Sequence, residues 1–202
     1  VAGTIAALAN GSGVVGVAPG AGVISLKVFD SFGGGATYSS IISAINYAAD
    51  IVNDNNLDKS KVVINLSLGG VHSSALDSAV KKVADQGINF SIAAGNSGED
   101  ADGFSPASAG DHHNVYTVSA VDSNYRMSSW SNWDDTIGGD DVDLAAPGVG
   151  VLSYYQGGGL AYLSGTSMAA PHVAGALLMG GVVEGGDVTA NWAGNPDPFA
   201  LV

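Results

Sequence analysis

The 202-residue sequence contains no cysteine, which excludes disulfides, thiol catalysis and cysteine-ligated zinc. Basic residues are nearly as scarce. Five lysines and Arg126 face nineteen Asp and Glu, for a formal net charge of −13. So acidic a chain repels phosphate backbones, and nucleic acid is excluded as a partner class. No apolar run approaches the roughly 18 residues of a membrane-spanning helix. Only six prolines accompany thirty glycines, and without a strict triplet period this composition marks tight turns, not collagen. Apolar residues make up 46% of the chain and charged ones 12%, which suffices to bury a core and excludes disorder by low hydrophobicity. The length suits one domain. The chain opens on the apolar stretch Val1-Ala2-Gly3-Thr4-Ile5-Ala6-Ala7-Leu8 with no capping residue before it, the pattern expected of a helix cut rather than begun.

Apolar periodicity organises the rest. Residues 23–29 read as a buried strand followed by Asp30-Ser31-Phe32-Gly33-Gly34-Gly35. Over 37–53, Ile41, Ile42, Ile45, Ala48, Ala49 and Val52 recur at helical steps, with Thr37 or Ser39 as cap. Strand patterns cover 62–66, 88–94, 115–121, 142–145 and 151–154. Helical patterns cover 75–86, stopped by Gly87 at the C′ position, and 167–179, with Pro171 expected in the first turn. Alternating strands and helices predict an α/β domain with a mostly parallel sheet. Sites in such sheets form at the carboxyl ends of strands, where the glycine-rich segments after Phe29, Leu66 and Ala94 fall.

The most specific segment is Gly165-Thr166-Ser167-Met168-Ala169-Ala170-Pro171-His172-Val173-Ala174-Gly175. A serine at a helix N-terminus entered through glycine exposes its hydroxyl among unpaired N–H groups that suit an oxyanion; the same residue would also serve as a plain N-cap. The whole string resembles the nucleophile segment of the subtilisin-like serine proteases, the subtilase family. Val1-Ala2-Gly3-Thr4 with Gly16-Val17-Ala18-Pro19, then Asn65-Leu66-Ser67-Leu68-Gly69, Ala93-Ala94-Gly95-Asn96 and Ala145-Ala146-Pro147-Gly148 follow in the family's order. The resemblance covers residues 1–180, a partial peptidase domain, and 181–202 form a divergent tail of that domain. It implies a three-layer α/β fold.

It also implies roles. Ser167 would be the nucleophile and Asn96 the oxyanion donor. Ser67, Leu68 and Gly69 on one side, with Gly33, Gly34 and Gly35 on the other, would pair with an extended polypeptide substrate, with a preference for apolar or aromatic side chains before the cleaved bond. Leu8, Asn10, Ser12 and Val14 map onto a calcium loop of the family, mostly through backbone carbonyls, so structural calcium is the one cofactor expected. Five aspartates lie between Asp134 and Asp143. Asp143 sits where some relatives bind a second cation, while the residues by themselves read as a solvated acidic face.

The four histidines do not supply the family's base. His172 lies five residues beyond Ser167, pointing away from its hydroxyl, and reads as a packing residue; His112-His113 and His72 read as exposed. The family's aspartate strand and its His-Gly-Thr-His segment both precede the position of Val1. The expectation is therefore a serine endopeptidase whose nucleophile lies here and whose Asp and His lie elsewhere, so that this chain alone is inactive. Such a chain would need that missing N-terminal segment as a partner, or would self-associate through an exposed sheet edge. A catalytically inert subtilase scaffold and an unrelated α/β domain are the competing readings. The acidic composition points to an extracellular protein.

Overall fold

The computed structural model describes residues 1–30, 34–134, 141–188 and 198–201. In chain order the helices are α1 (Ala2–Ala6), α2 (Tyr38–Asp54), α3 (Ser74–Ala84) and α4 (Thr166–Met179). The strands are β1 (Val63–Leu66), β2 (Gly70–Val71), β3 (Asn89–Ala93), β4 (Phe104–Ser105), β5 (Val115–Val121), β6 (Leu144–Pro147), β7 (Val151–Tyr154), β8 (Leu160–Leu163), β9 (Val183–Asp187) and β10 (Pro198–Leu201). Six of them form one sheet in the order β1-β3-β5-β6-β10-β9. All neighbours are parallel except β9 and β10. Two short antiparallel pairs, β2 with β4 and β7 with β8, stand apart from it.

The layers follow from side-chain alternation along the strands. On β3, Phe90 and Ile92 point into a core shared with Ile41 and Ile45 of α2 and with Leu76, Val80 and Val83 of α3. Their neighbour Ala93 faces the other way, packing with Val118 and Ala120 of β5 against Ala169, Ala170 and Val173 of α4. Ser91, fully buried on the same face, donates from its hydroxyl to the Ala170 carbonyl at 2.7 Å. Helices α2 and α3 thus cover one face and α4 the other: a three-layer α/β domain with a mostly parallel sheet.

Helix α2 begins where its cap was expected, the Thr37 Oγ1 accepting from the Ser40 N–H at 3.1 Å. Two sequence expectations need correction. Residues 23–29 form no strand. Val23, Ile24 and Phe29 are exposed, and the segment lies beside β1 without pairing to it. Together with α2 and β1 it walls a cavity of about 600 Å³; its β-branched sequence has no ladder partner there. Second, α4 starts at Thr166, which puts Pro171 beyond the first turn. The helix there loses the hydrogen bond that an N–H at 171 would have given the Ser167 carbonyl.

Replacing Thr37 with Ala should lower stability by about 1 kcal/mol, and Thr37→Ser should cost less, because only the hydroxyl does the capping. Denaturant midpoints of the two variants check this; equal losses would place the effect in the threonine methyl group instead.

Candidate active site

Three segments meet at the carboxyl ends of β1 and β3. The carbonyl that Pro171 leaves unpaired, that of Ser167, accepts from the Ser67 hydroxyl at 3.0 Å. The Ser167 hydroxyl in turn lies 3.3 Å from the Ser67 carbonyl and donates to it. Asn65 Nδ2 donates to Ser67 Oγ at 3.0 Å, which orients that hydroxyl. Ser67, the residue that follows β1, is therefore clamped to the first turn of α4 in both directions.

The end of β3 is clamped to the same turn. The Thr166 N–H, an orphan of the helix N-terminus, donates to Asn96 Oδ1 at 2.8 Å, and the Thr166 hydroxyl lies 3.1 Å from the same oxygen. The Gly95 N–H donates to Thr166 Oγ1 at 3.1 Å. A backbone N–H can only donate, so Oδ1 of Asn96 is fixed as the acceptor. Its Nδ2 makes no hydrogen bond among the described residues. Gly95 and Gly165 have φ of 113° and 149°, which side-chain-bearing residues rarely adopt. A Cβ on Gly95 would also strike Asn132 Nδ2.

Asn132 was not singled out in the sequence, yet it builds this turn. Fully buried, it accepts from the Ser97 N–H at 2.9 Å and donates from Nδ2 to the Ala94 carbonyl at 3.0 Å, while its own N–H reaches the Gly95 carbonyl at 3.0 Å. The only sequence signal was a polar Ser131-Asn132 pair between two tryptophans, a pattern with no fixed meaning before the contacts are known.

Asn96, Thr166 and Ser167 line one cavity of about 350 Å³. Leu68, Gly69, Ala93, Ala94 and Phe104 complete its mostly apolar walls. Of the other residues expected to bind substrate, Gly33 lies outside the described residues. Gly34 and Gly35 are exposed and line neither this cavity nor the one beside β1; the Gly34 N–H is instead turned to Asp30 Oδ1 at 2.8 Å.

None of the four histidines hydrogen-bonds to Ser167. His172 packs on its own helix, Nδ1 donating to the Met168 carbonyl at 2.9 Å, and burial pushes its pKa down. His72 is exposed, with one nitrogen, Nδ1, 3.4 Å from Ser108 Oγ and 3.5 Å from Asp77 Oδ2. A relay needs two nitrogens on two partners, so this arrangement is not one. His112, expected to be exposed, is half-buried.

The calcium loop offers little. Leu8, Asn10, Ser12 and Val14 supply one amide oxygen, one hydroxyl and backbone carbonyls, and Asn10 Oδ1 already accepts from the Ser12 N–H at 3.1 Å. Calcium takes about six to eight oxygens, with carboxylates among them, so these four residues do not make a site by themselves. The acidic cluster is not a solvated face: Asp134 and Asp141 are 2% and 4% exposed. The Asp141 N–H donates to Asp134 Oδ2 at 3.0 Å, and Asp143 Oδ2 accepts from the Thr117 N–H at 2.7 Å. Asp135 and Asp140 lie outside the described residues. Burial, a shared proton with Asp102 and the charges of Asp102, Asp111 and Asp134 push the Asp141 carboxyl up to about 8.

Comparison with known proteins places the chain in a family. Residues 1–179 match the family model described as the subtilase family. Subtilisin DY of Bacillus licheniformis is 45% identical over 180 residues, covering 89% of this chain and 61% of its own length. Subtilisin-like protease 1 of Arthroderma otae is 46% identical over 160 residues, 79% of this chain and 31% of its own. Among solved structures, a cold-adapted subtilisin-like serine proteinase superposes with a TM-score of 0.62 at 42% identity, covering 73% of this chain and 49% of that one. A protease of Pseudoalteromonas arctica superposes with a TM-score of 0.74 at 34% identity, covering 88% and 56%. The chain thus spans between about a third and three-fifths of the length of these relatives.

The Asp141 shift has a definite sign. An unfolded aspartate releases its proton near pH 4, whereas the folded one keeps it to about 8. Between those values the unfolded state binds fewer protons, so this carboxyl's contribution to stability falls as pH rises from about 4 to about 8 and is lost above that. Melting temperatures at pH 5 and pH 8 should differ less in Asp141→Asn than in the parent chain. Parallel pH profiles would refute this.

Proposed function

The chain belongs to the subtilase family, and on that premise we propose that it is the nucleophile-bearing part of a serine endopeptidase whose general base and orienting carboxylate are supplied from outside these 202 residues. One observation carries the reading: Ser167 and Asn96, whose Nδ2 is unengaged among the described residues, line one cavity. In the proposed step Ser167 Oγ forms a bond to the scissile carbonyl carbon, and its proton passes to the external base. The developing oxyanion takes hydrogen bonds from Asn96 Nδ2 and from the Ser167 N–H, which has no acceptor within its helix. Collapse of this intermediate breaks the peptide bond, and the base returns the proton to the leaving amine. Water then hydrolyses the acyl-serine. The substrate is polypeptide. The apolar cavity beside Leu68 and Phe104 has room for an apolar or aromatic side chain, while Ser67, Leu68 and Gly69 offer backbone to an extended segment.

The edge of the sheet supports a seat for the proposed external segment. Strand β1 is the edge of the six-stranded sheet, and beyond it opens the cavity lined by Val23, Ile24, Leu26 and Val28 on one side and Ile64 and Leu66 on the other. Asn65, which also lines it, has a buried Oδ1 with no hydrogen-bond partner among the described residues. An added extended strand would satisfy the β1 ladder, cover the apolar walls and offer that oxygen a donor. Without such a strand, pairing between two β1 edges of separate copies is the alternative outcome. Action outside the cell is part of the proposal, supported by the acidic composition. Among the described residues no helix is long and apolar enough to cross a membrane.

A second reading, an inert scaffold, draws on the Ser167 hydroxyl donating to the Ser67 carbonyl with no base beside it. The two separate on complementation. The 202-residue chain should give no peptide hydrolysis alone. Addition of the aspartate- and histidine-bearing segment of a subtilase should restore hydrolysis and fluorophosphonate labelling, both lost in Ser167→Ala. In the complemented protein Asn96→Ala should cut kcat by about 10²–10³-fold, a magnitude measured on subtilisin itself. Hydrolysis by the chain alone would overturn the division of labour, and a complemented but unlabelled Ser167 would favour the scaffold.

A further inference from the structure

At the opposite end of the sheet, where β3 and β5 begin, three donor side chains converge. Asp85 caps the C-terminus of α3, and His112 and His113 lie in the turn that leads into β5. Nε2 of His112 is 3.1 Å from Asp85 Oδ1, and Nε2 of His113 is 3.8 Å from the same oxygen. One ligand atom from each residue lies within 4.8 Å of the others. The two rings stack with centroids 4.3 Å apart and planes 27° apart.

The hydrogen bonding of His112 gives this cluster its meaning. Its Nδ1 lies 2.8 Å from the His113 carbonyl oxygen. A carbonyl only accepts, so Nδ1 carries the hydrogen and the neutral ring keeps its lone pair on Nε2. That lone pair points at a carboxylate oxygen, which also presents lone pairs. Something positive has to lie between them, a proton or a metal ion. With a second imidazole nitrogen aimed at the same oxygen, one divalent cation would satisfy all three groups at once. A histidine whose other nitrogen is held by a backbone carbonyl is also the usual form of a metal-ligating histidine. The C-terminal end of α3 adds partial negative charge. Lys81, one turn earlier on that helix, is already paired with Asp111 at 2.6 Å.

We propose that Asp85, His112 and His113 form a binding site for a divalent transition-metal ion, zinc in the first instance. Two imidazole nitrogens and one carboxylate oxygen are a donor set of the borderline class that such ions take. Asp85 and His113 are exposed, so water completes the coordination and the ion enters without rearrangement. The site ties the end of α3 to the turn before β5. It lies away from the cavity that holds Ser167 and does not rest on the proposed chemistry there.

Calorimetric titration of the 202-residue chain with Zn²⁺ at neutral pH tests this, beside Asp85→Asn, the double variant His112→Gln/His113→Gln, and His72→Gln as control. The parent and the control should bind at a single tight site and melt at a higher temperature with zinc. The double variant should lose that site, and Asp85→Asn should bind about tenfold or more weakly. Only the fold brings Asp85 to the histidines, so its contribution separates a built site from two neighbouring imidazoles chelating by themselves. Equal affinity in Asp85→Asn and the parent, or no saturable heat in the parent, would overturn the proposal.

Discussion

A carbonyl without a helical partner organises this molecule's working end. Pro171 has no N–H to give the carbonyl four residues before it, so that of Ser167 turns to the hydroxyl of Ser67. Because a buried acceptor left unpaired costs about 1–3 kcal/mol, the first turn of α4 is held against the end of β1 and not against the next turn of its own helix. The return bond from Ser167 Oγ to the Ser67 carbonyl makes the clamp reciprocal. Asn96 and Gly95 add a second clamp through Thr166. Two strand ends and a helix start are thereby fixed to one another by bonds that each join a side chain to a backbone group.

The sheet makes those clamps possible. In a parallel sheet every strand ends on the same side, and the turns that follow crowd together there. Crowding leaves room for backbone only. Gly95 meets the amide of Asn132 where a Cβ would stand, and Asn132 replaces the hydrogen bonds that the irregular turn cannot make with itself. The opposite side of the sheet is built differently. Its turns carry charged and imidazole side chains, and ion pairs between side chains join them. Each end of the sheet thus has its own kind of interaction, hydrogen bonds between side chain and backbone at one, ion pairs between more exposed side chains at the other.

Much of this was legible in the sequence, for reasons that differ by element. Helix α2 announced itself because its apolar stripe, its threonine cap and its length all agree, and β5 because seven residues of strand pattern have few other readings. The segment around Ser167 was legible as a string, although its most consequential residue, Pro171, was assigned a harmless first-turn place. Residues 23–29 misled because strand propensity describes a fit to neighbours, and this segment has no ladder partner among the described residues. The acidic cluster misled for a related reason: charge patterning says nothing of depth, and Asp134 and Asp141 are buried. Asn132 could not be read at all, since its importance lies wholly in what it touches.

The parked hydroxyl of Ser167 also bears on how such a site is switched on. On the proposed reading, its hydrogen bond to the Ser67 carbonyl would exchange for one to an incoming base, so the hydroxyl would keep one acceptor throughout. What the exchange would release is the Ser67 carbonyl, on the segment that follows the sheet edge. A backbone N–H of an extended polypeptide lying along Ser67-Leu68-Gly69 is a fitting donor for it. Activation of the hydroxyl and alignment of an extended chain would then draw on the same carbonyl, each removing the competitor of the other. On this view the clamp that holds α4 against β1 is only half permanent: the Ser67-to-Ser167 carbonyl bond stays to position the helix, and the reverse bond is the one given up.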